Sequence, residues 1–326
     1  MTFLTGNHPL LSVAVTRGGC IESRHRVAVS LVGPSGPVAA WGDVDAPVYS
    51  RSALKPLQAL ALLDHQPDLD RRRLALACAS HNGEAVHTEL ALAWLADLGL
   101  GAGALECGAH DPIDTPTARA LDAAGCACGR QHNNCSGKHC GFLALARHLG
   151  VDPAGYTHQD HPVQVAMRRA AEPFLGLDLE AVPWGIDGCG APNPAVPLRT
   201  LAGAFARLAS QGNGPSRRIF DAMAGEPYLV AGRDRFDTAA MQAWPGRVIV
   251  KGGAEGVWVA GIAGTGLGLA LKVEDGAKRA AEVAIAGLLS RLMADLDALH
   301  DWSHPSVKNA EGRQVGDIRL LWEETP

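Results

Sequence analysis

Ser52-Ala53-Leu54-Lys55 sets a hydroxyl and an amine three residues apart at the predicted start of a helix. Residues at that spacing share a helix face, so the amine could reach the hydroxyl. The positive end of a helix dipole disfavours an ammonium, and a neutral lysine is a competent base for a serine nucleophile. The same spacing also arises by chance in a chain with many serines. Ser80-His81-Asn82-Gly83 offers a second hydroxyl with a neighbouring amide, or simply a helix end finished by Asn-Gly. Lys251-Gly252-Gly253-Ala254-Glu255-Gly256 follows a predicted strand, either as a functional turn or as a hairpin that needs positive φ.

A second constellation suits a metal. Cys135 and Cys189 sit in the small-residue turns Asn134-Cys135-Ser136-Gly137-Lys138-His139 and Asp187-Gly188-Cys189-Gly190. Thiolates there can approach a zinc ion, and Lys138 could add a neutral amine, leaving one tetrahedral position for water. Free structural thiols, or a cluster of Cys126, Cys128, Cys135 and Cys140, are alternative readings of the same residues. Lysine is scarce, six of 29 basic residues, and Lys55, Lys138 and Lys251 all lie in Gly/Ser/Cys-rich turns. Lysine can surrender its proton when buried or metal-bound, whereas arginine effectively cannot.

These residues need elements to position them. Strand patterns cover 11–16, 26–31 and 38–41 near the start, and 247–251, 257–262, 267–273 and 317–321 near the end. Helical periodicity predicts helices over 53–63, 74–78, 85–98, 117–124, 138–149, 163–175, 198–210 and 276–299. Strands at both ends with helices between predict an α+β fold. An antiparallel sheet built from the two termini (about 1–50 and 245–326) stands beside a helix-rich part (about 51–244) in one domain. The glycine run 261–268 lacks the strand and helix of a nucleotide loop and reads as a hairpin.

Composition bounds the function. With 47% hydrophobic and 19% charged residues, the 326-residue chain can bury a sizeable core. Net charge is −5 with no basic block, so the Lys/Arg footprint of a nucleic-acid binder is missing. Residues 1–5 carry no basic segment leading into an apolar one, and no run of about 18 apolar residues suggests a membrane span. Eight cysteines in a chain without a leader read as thiols or metal ligands, which predicts a cytoplasmic protein.

Ser-x-x-Lys, Ser-x-Asn and Lys-Gly-Gly follow the motif order of penicillin-binding proteins and serine β-lactamases, although the first two lie closer together here. More closely, the chain resembles the rhizobial-type L-asparaginases, the asparaginase II family. The resemblance rests on Ser50–Pro56, Ala79–Glu84, Cys107-Gly108-Ala109-His110, the Asn134–His139 string, Asp160–Gln164, Asp187–Gly190 and Lys251–Gly256, in family order along nearly the whole chain. Asn133 and Cys140 depart from the histidine and small residue expected beside the string.

The resemblance implies a fold like penicillin-binding proteins, β-lactamases and glutaminases, a homodimer, and hydrolysis of L-asparagine to L-aspartate and ammonia. It implies Ser–Lys tandems at Ser52–Lys55 and Ser80–Lys251, and Zn2+ held by Cys135, Lys138, Cys189 and water. In this reading Ser52 attacks the amide carbon and Lys55 receives its proton, while Ser80 and Lys251 relay a proton to the leaving ammonia. Arg51 would hold the substrate α-carboxylate, Glu84 or Glu255 the α-amine, and His139 would orient substrate. Asn82 and Gly253 complete the substrate-binding set, with backbone N–H groups at Ser52 and near Gly253 as oxyanion donors. Rival readings are a glutaminase, a β-lactamase or DD-peptidase-like hydrolase, and a non-enzymatic zinc- or amino-acid-binding protein.

Overall fold

The computed structural model describes residues 6–210 and 212–322, so residues 1–5, read above for a leader, lie outside the described residues. Twelve strands are described: β1 (Gly6–His8), β2 (Leu11–Arg17), β3 (Cys20–Gly33), β4 (Gly36–Trp41), β5 (Pro47–Tyr49), β6 (Trp184–Ile186), β7 (Pro192–Pro197), β8 (Val248–Gly252), β9 (Val257–Ile262), β10 (Leu267–Val273), β11 (Ser306–Lys308) and β12 (Gln314–Leu321). The fold is α+β and divides into two compact units. One comprises Met1–Val48, Val196–Ser210 and Val250–Pro326; the other comprises Tyr49–Ala195 and Gln211–Ile249.

The first unit is a sheet in the order β11-β12-β2-β3-β10-β9-β8, with β4 also on β3 and β1 on β4. Apart from the parallel β1–β4 pair, neighbouring strands pair antiparallel, for example with the registers Leu11↔Val27 and Leu269↔Leu31. β9 is buried at every position and β10 at nearly every one, as expected for strands covered on both faces. Helix Leu198–Ser210 packs on β10, β3 and β9, and helix Lys278–Leu292 packs on β12, β10 and β2. Gly268 makes the first of these contacts possible, because a Cβ there would run into the Ala202 carbonyl.

Sequence and structure differ at identifiable places. The strand predicted over 26–31 extends to Cys20–Gly33, since the Gly18-Gly19 turn, both residues at positive φ, lets β2 and β3 pair to their ends. The helix predicted over 276–299 stops at Leu292, where Ala294 adopts a left-handed conformation (φ 54°). Helix Leu198–Ser210 falls mid-chain yet belongs to the sheet unit. Helices Pro215–Gly225 and Phe236–Ala243, and the three-residue β11, lie outside the predicted elements.

The second unit gathers around helix Ser136–Leu149, whose residues 136–146 are all buried. A helix buried on every side belongs in a core, and this one contacts helices Leu60–His65, Arg71–Ala77, Ala85–Asp97 and Pro162–Leu175. Surrounding helices start on side-chain caps: Asp70 accepts from the Arg73 N–H (2.9 Å) and Asp114 from the Thr117 N–H (2.9 Å). The central helix stops at Gly150, a left-handed C-cap. Its N-terminus, with Cys135, Ser136, Lys138 and His139, therefore lies buried. No helix among the described residues is long and apolar enough to cross a membrane.

Gly137 sets the seat of that N-terminus, because a Cβ there would run into the Leu76 carbonyl oxygen. Gly137→Ala is expected to destabilise the fold by about 2 kcal/mol through overpacking. Urea unfolding measures this; an unchanged midpoint would mean that the two helices part without penalty.

Candidate active site

Ser52 lies on a 3-10 turn, Arg51–Leu54, that leads into helix Lys55–Gln58. Arg51 has φ 50°, a left-handed conformation that costs a non-glycine residue about 1–2 kcal/mol. Asn193 holds the turn: its Oδ1 accepts from the Arg51 N–H (3.0 Å) and the Ser50 hydroxyl (3.1 Å). Asp187 holds the Arg51 side chain, accepting from Nε (3.0 Å) and Nη2 (2.8 Å). Ser52 itself is half-buried.

Lys55 is buried, at 1% exposure. Its Nζ donates to the Ala79 carbonyl (2.6 Å) and the Ser80 hydroxyl (2.9 Å), and its proximity lowers the Cys135 thiol. The structure thus brings Lys55 to Ser80, and no hydrogen bond from Lys55 to Ser52 occurs among the described residues.

The loop after Ser80 is clamped by the segment 228–235. Backbone bonds run from Ser80 N to Val230 O (3.0 Å) and from Asn82 N to Ala231 O (2.8 Å). Arg235 Nη1 donates to the Ser80 carbonyl (3.1 Å) and to Asn82 Oδ1 (2.9 Å). Glu84 accepts from the Tyr228 hydroxyl (2.5 Å), the Arg233 N–H (3.1 Å) and Arg233 Nη2 (3.2 Å). Burial works to raise the Glu84 carboxyl, but these hydrogen bonds prevail and hold it below its ordinary value. Glu84, expected to meet a substrate amine, is already engaged.

His81 ties this loop to the central helix. The Gly83 N–H donates to its Nδ1 (3.1 Å), so Nε2 carries the proton and donates to Ser136 Oγ (2.9 Å). The Ser136 hydroxyl in turn donates to the Gln131 carbonyl (2.9 Å). Burial, then the neighbouring His87 and Lys55, push the His81 imidazole well below its ordinary pKa. His87 stacks on His81 (ring centroids 4.8 Å apart) and is lowered too, chiefly by burial.

Cys135, Lys138 and Cys189 converge at the start of the central helix. Lys138 Nζ donates to Cys189 Sγ (3.1 Å), and the Cys189 thiol hydrogen-bonds Cys135. That bond, together with the Lys55 and Lys138 charges, holds Cys135 well below an ordinary thiol despite burial. Burial alone would depress Lys138; Cys189 and Cys135 outweigh it and raise the ammonium. Asp187 is raised by burial but lowered further by Lys138 and Arg51.

Beside them, His139 Nδ1 meets the Tyr156 hydroxyl (2.7 Å), while its buried Nε2 has no hydrogen-bond partner and lies in the field of Cys189. Burial brings His139 down to about 4 and pushes the Cys107 thiol up to about 12. All eight cysteines are free. No group of three or more His, Cys, Asp or Glu side chains forms a metal site among the described residues; Cys135, Lys138 and Cys189 are a donor set of another kind. Cys126 is exposed and Cys140 is buried against the Ala91 carbonyl, so the alternative four-cysteine cluster does not assemble.

The remaining expected residues belong to the sheet unit. Lys251 ends β8 fully buried, with Nζ donating to the Gly252 carbonyl (2.5 Å) among its interactions. The Gly253 N–H, expected as an oxyanion donor, is taken by the Val257 carbonyl (2.7 Å) of the hairpin. Glu255 is exposed at the tip, at φ 58°. Asp187 as partner of Arg51, and Asn193, Tyr228, Arg233 and Arg235, were not expected. Only Asp187 carried a sequence signal, its place beside Cys189.

The sequence profile described as L-asparaginase II matches residues 13–320. The chain belongs to that family. No curated protein matches the chain. Among solved structures it is similar to Mglu in its native form, at 17% identity over 90% of this chain and 67% of that one (TM-score 0.40). It is also similar to Mglu in its tris and glutamate form, at 18% over 83% and 60% (TM-score 0.38). A third is the octameric penicillin-binding protein homologue from Pyrococcus abyssi, at 11% over 82% and 73% (TM-score 0.36). The chain thus spans 60% and 67% of the length of these two Mglu structures.

The lowered histidines set a pH dependence. His81 and His87 stay neutral in the fold but protonate in the unfolded chain below the ordinary value of 6.5. The unfolded state then binds more protons, so their contribution is present above 6.5 and is lost as pH falls. The urea midpoint is expected to drop between about pH 7 and about pH 5, above the range where carboxylates titrate. A flat midpoint across that window would contradict the neutral assignment.

Proposed function

We propose that this protein hydrolyses the side-chain amide of L-asparagine to L-aspartate and ammonia. The observation that carries the reading is the buried Lys55 amine on the Ser80 hydroxyl (2.9 Å), one turn of chain from the more open Ser52, in a member of the L-asparaginase II family. Ser52 is the attacking hydroxyl: it is the more accessible serine, and it follows a strained Arg51 that Asn193 and Asp187 hold in place. Lys55 receives its proton, and Ser80, hydrogen-bonded to Lys55, hands a proton on toward the ammonia that leaves as the C–N bond breaks. Water then hydrolyses the acyl ester on Ser52 to release L-aspartate. Lys251, Gly253 and Glu255 enter the proposal through the family resemblance alone.

Cys135, Lys138 and Cys189 suit a zinc ion: two thiols and an amine converge in a buried place, next to a histidine nitrogen with no partner. Bound there, zinc would supply a fixed charge that shapes the pocket and helps hold substrate, since two thiolates leave it a weak Lewis acid. The proposal extends to a cytoplasmic homodimer, whose mass light scattering would measure.

The test is ammonia release from L-asparagine and L-glutamine by the purified protein. Release from asparagine is expected, with Ser52→Ala lowering kcat on the order of a thousandfold or more while the fold is kept. Retained activity in that variant would move the attack to Ser80. Release from glutamine alone would make the protein a glutaminase, and hydrolysis of nitrocefin would point to β-lactam chemistry. Binding of asparagine without ammonia would leave an amino-acid-binding protein. Zinc chelation is expected to raise KM more than it lowers kcat; a proportional loss of kcat would give the metal a part in the chemistry.

A further inference from the structure

Two arginines stand near the two serines, and only one has its charge matched. Arg51 gives Nε and Nη2 to a single Asp187 oxygen (3.0 and 2.8 Å), and the Asp187 carboxylate is held ionised by this contact and by Lys138. Arg51 is thus a structural cation that fixes the turn bearing Ser52. Arg235 is different. Its Nη1 bonds the Ser80 carbonyl and Asn82 Oδ1, both neutral acceptors, and no carboxylate pairs with it among the described residues. The nearby acids are taken: Glu84 by Tyr228 and Arg233, and Asp114 by Thr117 and Arg233 (3.6 Å).

What remains is a half-buried guanidinium, anchored through one nitrogen to the backbone of Ser80, with Nε and Nη2 unassigned among the described residues. That is the arrangement a carboxylate wants. Two N–H donors in a planar fork match its two oxygens, and a side chain already pinned loses little freedom on binding. Asparagine carries one carboxylate besides the amide that reacts.

We infer that Arg235, rather than Arg51, anchors the α-carboxylate of the amino-acid substrate. The inference rests on the amidase reading. It assigns substrate selection to a residue on the clamp segment 228–235, so the segment that positions the Ser80 loop also recognises what enters.

Steady-state kinetics with two amides test it: L-asparagine, and 3-aminopropionamide, which lacks only the α-carboxylate. Arg235→Gln is expected to lower kcat/KM for asparagine on the order of 100-fold, mainly through KM, and for 3-aminopropionamide less than about threefold. Arg235→Lys, able to keep a bond to the Ser80 carbonyl, should recover part of the asparagine activity. Equal losses on both amides would reduce Arg235 to a prop for the Ser80 loop. A loss confined to asparagine in Arg51→Gln would hand the carboxylate to Arg51. Either result overturns the inference. If the wild-type protein hydrolyses neither amide, the amidase reading fails by itself. Calorimetric binding of L-aspartate against β-alanine then decides: selectivity for aspartate that Arg235→Gln abolishes upholds the anchor, and its absence in the wild type removes it.

Discussion

The Lys55 amine lies at 1% exposure, and the helical unit is arranged around that fact. A polar amine taken out of water is costly unless acceptors meet its N–H bonds. They come from the Ala79 carbonyl and the Ser80 hydroxyl at the end of one helix, while Lys55 itself stands at the start of another. Moving either of these leaves the buried amine short of a partner. The lysine therefore fixes the relative places of the two loops whose chemistry matters most.

From Lys55 the charges continue in alternating sign. Cys135 and Cys189 follow as a hydrogen-bonded thiol pair, then the Lys138 ammonium, then the Asp187 carboxylate, then the Arg51 guanidinium. The two ends of this series are the neighbours of the two serines: Lys55 rests on Ser80, and Arg51 precedes Ser52. A change of charge in the middle, at the thiols, is felt by both ends because the interior screens it poorly. Structural and chemical roles cannot be separated here; the groups suited to a metal also hold the serine turns apart at their working positions.

Much of this was legible in the sequence, and the rest was not for definite reasons. Ser52, Lys55, Ser80, Cys135, Lys138 and Cys189 stand in short motifs with recognisable residue types. Their partnerships are another matter. Spacing says that Ser52 and Lys55 share a face, but a buried amine takes the acceptors that tertiary structure offers, here Ala79 and Ser80. Arg235 sits in Gly232-Arg233-Asp234-Arg235, an ordinary polar turn; it gains meaning only when 230–231 pairs with 80–82. Helix Leu198–Ser210 has an evident apolar face, yet nothing in its periodicity says that the face meets β10 rather than another helix.

The division of labour between lysine and arginine follows from shape. This chain uses arginine for most of its basic positions, and each of its three lysines in Gly/Ser/Cys-rich turns is buried: Lys55 at 1%, Lys138 at 6% and Lys251 at 0% exposure. The other three, Lys272, Lys278 and Lys308, are exposed or partly so. A lysine amine is compact and takes acceptors arriving from different directions, as the Ala79 carbonyl and Ser80 hydroxyl do around Lys55. A guanidinium is flat and suits a carboxylate in its plane, as in Arg51 with Asp187 and Arg233 with Glu84. An arginine at 55 would put a planar fork where the acceptors are not coplanar, and it could not give up a proton. The scarcity of lysine is thus no accident of composition at these positions: the buried ones occupy places whose geometry and proton chemistry arginine cannot supply.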